Sequence, residues 1–436
     1  MKFCWLPALC FILFCACKKE IVYVIEDSTP EITLEISEVN DSSVSLSWNN
    51  ITVRNIRSVK LYRQWETISD GRWEYVNEVL LDENNSNTTT FLDELTPYSG
   101  LTRYFVEVTT TEGNKLYSNG VNHYRNKDIF QSFIGNILVD TSENLLYTIG
   151  LDQGLIKVID YTKGTIVATA QLDPFIGYCA LGNFNNKKEL YVPTNDGWLE
   201  IMDAGSLELK DRLYVQGLAV SSVVAHNGLL FISSSDRSES FIKTGALKVY
   251  DRATKQLISR AGYSTASRLM LFPGTDTHLA ELGLNVAPTP LNSYSFDGGG
   301  ALLEEREDSY HGDYMMEGNL VKASPDGKYF ITSRKGNIFD SSLVYKRTVD
   351  DFSIFGYSDF EFSSDGSTIY AAKGMEPFIK LFDFTSLEPG QTLNTLLPPI
   401  KIFRDGNKLY SVSGDFPAGI SGSSIPMQFI IESFNL

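Results

Sequence analysis

The sequence predicts an all-β protein in which a small β-sandwich precedes a seven-bladed β-propeller. Aromatic residues make up 12% of the 436 residues, and β-branched and aromatic side chains fill the apolar runs without a sustained helical period. Hairpin signals recur every ~40–50 residues through the C-terminal part of the chain, which is the spacing of propeller blades. The length also exceeds what one ordinary core supports, so two domains are expected.

Residues 1–16 are typical of a secretory signal peptide. A positive charge precedes the apolar run Phe3 to Ala16, which is too short for a permanent membrane span. The stretch Leu13-Phe14-Cys15-Ala16-Cys17 resembles the lipobox of bacterial lipoproteins. This resemblance implies lipidation of Cys17 after cleavage and contact with the membrane through the lipid anchor alone. An ordinary cleaved secretory signal is the alternative.

Residues 17–29 are predicted to be a lipid-anchored linker. The stretch Lys18-Lys19-Glu20 resembles the charged export tether of surface lipoproteins in Bacteroidetes-type bacteria, which implies an outer membrane lipoprotein exposed at the cell surface. A solvated linker is the alternative. Of the 5 cysteines, only Cys179 lies beyond this segment, so we expect no intramolecular disulfide. Its apolar strand context favours a buried, inert thiol over a nucleophile.

Residues 30–125 are predicted to form a β-sandwich of seven short strands. Apolar positions alternate on its second and sixth strands: Val44, Leu46, Trp48, Tyr104, Val106 and Val108. With Leu95-Thr96-Pro97 between them, these positions resemble a fibronectin type III domain, which implies a spacer or docking module. Residues 66–72, between Trp65 and Trp73, are expected to be either a packed hairpin or a loop that presents aromatic side chains.

Residues 126–436 repeat one unit of four short strands. A turn signal marks the first hairpin of each unit, and the seven signals are centred on residues 143, 186, 227, 275, 326, 365 and 405. The segment Ser324 to Thr332 resembles the YVTN-type, YncE-like group of seven-bladed propellers. The last unit has only three predicted strands. We therefore expect Asp128 to Phe133 to supply its fourth strand and close the ring.

The repeat unit has a second sequence signal, an aspartate at the end of the third strand in most units: Asp160, Asp203, Asp251, Asp297 and Asp383. Units five and seven are interpreted as carrying Lys346 and Glu432 instead. Placement at one turn per unit favours hairpin capping over metal binding, because an aspartate accepts N–H bonds from the next two or three residues. We therefore predict no metal site and no cofactor.

The predicted ligand site lies among four connections that are longer than the fold requires: residues 233–245, 282–292, 307–318 and 413–426. Connections of these kinds open on one face of a propeller, around the central channel. The connection 307–318 is the richest in aromatic and charged residues. The candidate ligand-binding residues are Tyr310, His311, Asp313 and Tyr314 in this connection, together with Trp198 and Phe378 at the starts of third strands. Packing between units is the alternative for Trp198 and Phe378.

The composition and the motifs favour a binding role. A formal net charge of −17 without clustered Lys and Arg argues against nucleic acid as a partner. The sequence contains no nucleophile elbow, zinc-binding helix or phosphate loop. We therefore expect a surface lipoprotein that binds a glycan or a protein through the loop-rich propeller face. The alternative is a propeller enzyme, such as a lyase, lactonase or glycosidase, that acts on extracellular polysaccharide or a small lactone with acidic loop residues near His311.

Overall fold

The structure is a computed structural model. It describes residues 32–39, 43–49, 55–69, 72–84, 89–94, 96, 101–124, 129–215, 219–235, 245–262, 266–274, 277–284, 289–308, 314, 316–350, 356–414 and 427–436. These residues form 36 β-strands and no helix, so the predicted all-β class is confirmed. Accordingly, the described part of the chain contains no helix of the length and hydrophobicity needed to cross a membrane.

The N-terminal strands form two sheets. Their bounds are β1 (Leu34–Val39), β2 (Val44–Trp48), β3 (Ile56–Ser69), β4 (Arg72–Asn84), β5 (Thr90–Asp93), β6 (Leu101–Thr110), β7 (Lys115–Tyr117) and β8 (Val121–Tyr124). One sheet has the order β1-β2-β5, and the other has the order β4-β3-β6-β7, with β8 also paired to β6. The predicted core positions Trp48, Tyr104 and Val106 are buried in one cluster. The sequence predicts one last strand over residues 116–124, and the structure has two strands there, β7 and β8.

Residues 66–72 belong almost entirely to a hairpin. Strands β3 and β4 pair as far as Ser69 opposite Arg72, whereas β6 pairs with β3 only as far as Trp65. The predicted hairpin is therefore confirmed for the described residues. The physical reason is continuous cross-strand pairing, which satisfies the backbone groups of the segment.

The remaining strands form seven four-stranded antiparallel sheets, numbered here in chain order. Sheets one to three comprise β10 (Asn136–Asp140), β11 (Leu145–Gly150), β12 (Leu155–Asp160) and β13 (Thr165–Gln171); β14 (Ala180–Phe184), β15 (Lys187–Pro193), β16 (Trp198–Asp203) and β17 (Leu209–Tyr214); and β18 (Ala219–His226), β19 (Leu229–Ser235), β20 (Leu247–Asp251) and β21 (Leu257–Ala261). Sheets four and five comprise β22 (Ser267–Leu271), β23 (Thr277–Gly283), β24 (Leu291–Phe296) and β25 (Leu302–Glu307); and β26 (Val321–Ala323), β27 (Tyr329–Thr332), β28 (Asn337–Asp340) and β29 (Tyr345–Thr348). Sheets six and seven comprise β30 (Tyr357–Phe362), β31 (Thr368–Lys373), β32 (Phe378–Asp383) and β33 (Pro389–Asn394); and β34 (Pro399–Asp405), β35 (Lys408–Gly414), β36 (Met427–Asn435) and β9 (Phe130–Ser132).

The first strands of the sheets lie next to one another in chain order. Strand β10 contacts β14, and the contacts continue from β14 to β18, β22, β26, β30 and β34. Fourth strands such as β13 and β33 are largely exposed, so the first strands are the inner ones. Seven successive sheets with this order are compatible with a β-propeller.

The fourth strand of sheet seven comes from the beginning of the repeats. Strand β9 pairs with β36, with Phe130 opposite Phe429 and the two rings stacked at 5.4 Å. The Ser132 hydroxyl also accepts a hydrogen bond of 2.9 Å from Thr148 Oγ1 in sheet one. The predicted pairing of this segment with the C-terminal unit is therefore confirmed for residues 130–132, and it covers the edge of β36.

The two ends of each sheet carry different connections, because antiparallel pairing alternates the strand direction. We use "hairpin end" for the end whose turns join first to second and third to fourth strands. We use "loop end" for the end whose connections join second to third strands and one sheet to the next. The four long connections predicted to carry the site all join strands at the loop end.

One strand boundary predicted in the fifth unit is wrong. Its third strand, β28, ends at Asp340, and Lys346 lies in β29, with its Nζ 2.7 Å from Asp340 Oδ2. Asp340 Oδ1 accepts the N–H groups of Ser342 and Val344, so this unit has the same aspartate cap as its neighbours. The apolar residues before Lys346 belong to the turn and the start of the fourth strand, and they imitate the end of a third strand.

Candidate functional site

Trp198 and Phe378 have equivalent places in two different sheets. Trp198 begins β16 opposite Tyr214, and Phe378 begins β32 opposite Asn394, so both lie at the loop end. Both side chains are half-buried. The Trp198 ring lies 5.1 Å from the Tyr214 ring, and no ring contact joins it to Phe378 among the described residues. These two candidates therefore contribute separate aromatic positions rather than one cluster.

Tyr314 packs against the neighbouring sheet. Its ring stacks on Tyr345 with centroids 3.6 Å apart and meets the edge of Phe339 at 6.3 Å. One face of the ring is therefore occupied by the protein itself. The other candidates in this connection, Tyr310, His311 and Asp313, lie outside the described residues, as does Cys17. Ligand binding by the six candidates and lipidation of Cys17 stay predictions.

Arg268, which the sequence interpretation did not select, connects three sheets at the loop end. It is the second residue of β22, and its Nη1 donates a 3.0 Å hydrogen bond to the carbonyl oxygen of Asn319, just before sheet five. Its Cζ lies 4.4 Å from the ring centroid of Tyr178, just before sheet two. Both contacts hold the guanidinium in place, and Arg268 itself is half-buried.

Asp359 and Lys401 complete this group of polar side chains. Asp359 is 6% exposed, and its carboxylate accepts 2.9 Å hydrogen bonds from Lys401 Nζ and the Ile402 backbone N–H. Burial lowers the pKa of the Arg268 guanidinium from its ordinary value, whereas Tyr178 and the charge of Asp359 oppose that shift. We use "loop-end cluster" for Tyr178, Arg268, Asn319, Asp359 and Lys401. Five different sheets or their entry segments supply these residues.

A buried carboxylate positions the strand that carries Arg268. Glu281 is 0% exposed and accepts hydrogen bonds from the Ser267 hydroxyl at 2.7 Å, the Tyr294 hydroxyl at 2.6 Å and the Asn292 amide at 3.1 Å. The Ser267 oxygen also lies 2.6 Å from Ser233 Oγ in sheet three. Because a buried carboxylate is costly without such partners, this network fixes Ser267, the residue before Arg268.

The aspartates at the hairpin end are bonded within their own turns. Asp203 Oδ1 accepts the N–H groups of Gly205 and Ser206, and Asp383 Oδ1 accepts those of Thr385 and Ser386. The described residues contain no group of three or more His, Cys, Asp or Glu side chains that could hold a metal ion. The predicted hairpin capping is therefore confirmed.

A cleft of about 400 Å³ lies at the hairpin end between sheets five and six. Its two carboxylates already bond to nearby turn residues. Asp326 Oδ1 accepts from the Ser324 hydroxyl, and Asp365 Oδ1 accepts from the Ser363 and Ser367 hydroxyls. These groups hold hairpins together, which distinguishes this cleft from the loop-end cluster.

Cys179 has no reactive environment. The side chain is 5% exposed, and burial raises the pKa of its thiol. Its Sγ contacts the carbonyl oxygen of Gly177 at 3.6 Å. The predicted buried thiol is confirmed, and a nucleophilic thiolate is disfavoured at this position.

The chain matches no protein-family model and no curated protein.

Proposed function

We propose that this chain is a lipid-anchored protein of the bacterial cell surface that binds a glycan or a protein at the loop end of a seven-bladed β-propeller. Lipidation of Cys17 attaches it to the outer membrane, and a fibronectin type III-like sandwich holds the propeller away from the membrane. Binding, rather than catalysis, is its activity.

The sheet order supports both domain assignments. Seven four-stranded sheets, closed by the pairing of β9 with β36, match the strand count of a seven-bladed ring. In the sandwich, the Tyr104 hydroxyl donates a 2.9 Å hydrogen bond back to Asp93 at the end of β5. This contact serves as a variant of the tyrosine corner of immunoglobulin-like sandwiches.

The loop-end cluster is the observation that carries the proposal. It combines an aromatic ring, a guanidinium, an ion pair and the backbone carbonyl of Asn319, supplied by five sheets or their entry segments, which is the mixture of groups that fixes a ligand's orientation. At the opposite end, the aspartate side chains are engaged by their own turns. The long connections also lie at the loop end, where binding residues concentrate on a rigid scaffold.

A matched pair of substitutions in one strand tests the location of binding. Phe378 begins β32 at the loop end, and Phe384 follows its last residue at the hairpin end; both are half-buried. Full-length protein in detergent is applied to arrays of purified glycans and of extracellular proteins. We expect Phe378→Ala to weaken binding and Phe384→Ala to leave the affinity unchanged at equal folded fraction. Equal effects of the two substitutions, or loss only in Phe384→Ala, would contradict the proposal.

A further inference from the structure

The guanidinium of Arg268 has more donors than the protein uses. A guanidinium carries five N–H donors. The Asn319 carbonyl and the Tyr178 side chain engage at most two of them, and the described residues offer no further acceptor. Arg268 is half-buried rather than freely solvated, so the remaining donors form a hydrogen-bonding group at a defined place.

The position of this group is fixed before any ligand arrives. Tyr178, 9% exposed, lies under the guanidinium, and the Asn319 carbonyl holds one of its nitrogens. Behind it, the bond from Ser267 to Glu281 anchors the strand. Because the Arg268 side chain is already held in place by these contacts, it loses little more rotamer entropy when a ligand binds, which favours affinity.

Arg268 is the charged side chain of the loop-end cluster that has no ion-pair partner among the described residues. Lys401 and Asp359 form an ion pair at 2.9 Å, so their two charges offset each other. Deeper along the first strands, Lys322 and Glu361 offset each other in the same way at 2.6 Å. A guanidinium without an ion-pair partner favours an anionic ligand group at this place, against the overall formal charge of −17.

We propose that Arg268 binds the carboxylate of an acidic saccharide, such as a uronic acid residue, at the loop end. This inference rests on the proposed function and names its ligand class. A guanidinium fork matches the two oxygens of a carboxylate in a bidentate pair. Tyr178 and Asp359 are buried and Arg268 is half-buried, so the cluster exposes little surface and suits a single acidic sugar residue. A protein partner would require a broad surface of ~800 Å².

The test compares an acidic oligosaccharide with its neutral counterpart. Oligosaccharides that contain glucuronate, galacturonate or mannuronate are titrated into full-length protein in detergent, alongside the same oligosaccharides after reduction of their carboxyl groups to alcohols. We expect binding of at least one uronate oligosaccharide, and binding weaker by more than about tenfold for its reduced form, because a charge-assisted hydrogen bond is lost.

Arg347 provides a matched control at the hairpin end. Its guanidinium also lies over an aromatic ring, Phe384, at 4.8 Å and donates to the carbonyl oxygens of Phe384 and Thr385. We expect Arg268→Gln to weaken uronate binding by more than about tenfold and Arg347→Gln to leave it unchanged. If Arg268→Gln does not fold, Arg268→Lys serves instead. It keeps the charge, loses the fork and should bind the uronate severalfold more weakly.

Failure of this inference can be distinguished from failure of the proposed function. Equal binding of the acidic and reduced oligosaccharides, or unchanged uronate binding in Arg268→Gln, overturns the inference. Binding of neutral glycans alone, or of an acidic peptide in place of the uronate, also overturns it but leaves a loop-end binding protein. Absence of any glycan or protein ligand overturns both.

Discussion

The pairing of β9 with β36 predicts a large stability loss from one substitution, Phe130→Ala. Phe130 is 6% exposed and stacks on Phe429, which is 0% exposed. Truncating a buried phenylalanine to alanine costs roughly 3–5 kcal/mol, and the lost aromatic pair lies within that range. At roughly 2–4 °C per kcal/mol, a cost of about 4 kcal/mol lowers the melting temperature of a large domain by roughly 8–16 °C.

The assay is thermal unfolding of the full-length protein, followed by circular dichroism, with aggregation measured by light scattering. Phe175→Ala is the control, because Phe175 is 62% exposed and its truncation should change the unfolding free energy by less than about 0.5 kcal/mol. Opening the edge of β36 should also increase aggregation of Phe130→Ala. If both variants melt within about 2 °C of the parent protein, the pairing of β9 with β36 does not stabilise the repeats as expected.

Three further predictions concern the anchor, the sandwich and the pH dependence. Cys17→Ser should abolish acylation and move the protein from the membrane to the soluble fraction; unchanged fractionation and processing would contradict the lipid anchor. Asp93→Asn should lower the free energy of unfolding of the sandwich by about 3–5 kcal/mol in urea titrations, because the buried Arg63 guanidinium, 2.8 Å from Asp93, loses the carboxylate that neutralises it. A loss below ~1 kcal/mol would show that the pair is not needed. The Lys163 ammonium and the Thr162 hydroxyl lower the pKa of Asp160 to about 2, so its stabilisation is present above pH ~4 and is lost as the pH falls through that folded-state value. Asp160→Asn should therefore reduce the loss of stability between pH 5 and pH 3, and an unchanged pH profile would contradict this role.

The repeats could be predicted from the sequence because their signals are local. An Asp-Gly turn or a capping aspartate acts within four or five residues, so Asp365 and Asp383 mark hairpins without knowledge of the rest of the fold. Counting strands also predicted that β9 completes sheet seven, since an edge must be covered. The same local approach failed at Lys346, where a turn and the start of a strand imitate a strand end.

The loop-end cluster could not be predicted in this way because it has no local motif. Tyr178 and Lys401 lie far apart in the chain, and only the succession of first strands brings their sheets together. Arg268 stands in an ordinary strand pattern, and its neighbours in space are set by packing between sheets. Glu281, a charged residue in the apolar run of β23, was the one available signal, because a carboxylate in a buried strand needs dedicated partners.

Hydrogen–deuterium exchange of the full-length protein, with and without the tightest-binding glycan or protein from the arrays, tests the central claim of binding at the loop end most directly. We predict that the ligand slows amide exchange in the segments before β14, β22 and β26, which contain or adjoin Tyr178, Arg268 and Asn319. Exchange at the hairpin-end turns, such as residues 383–388, should stay unchanged. Protection confined to those turns, or to the sandwich, would contradict the claim.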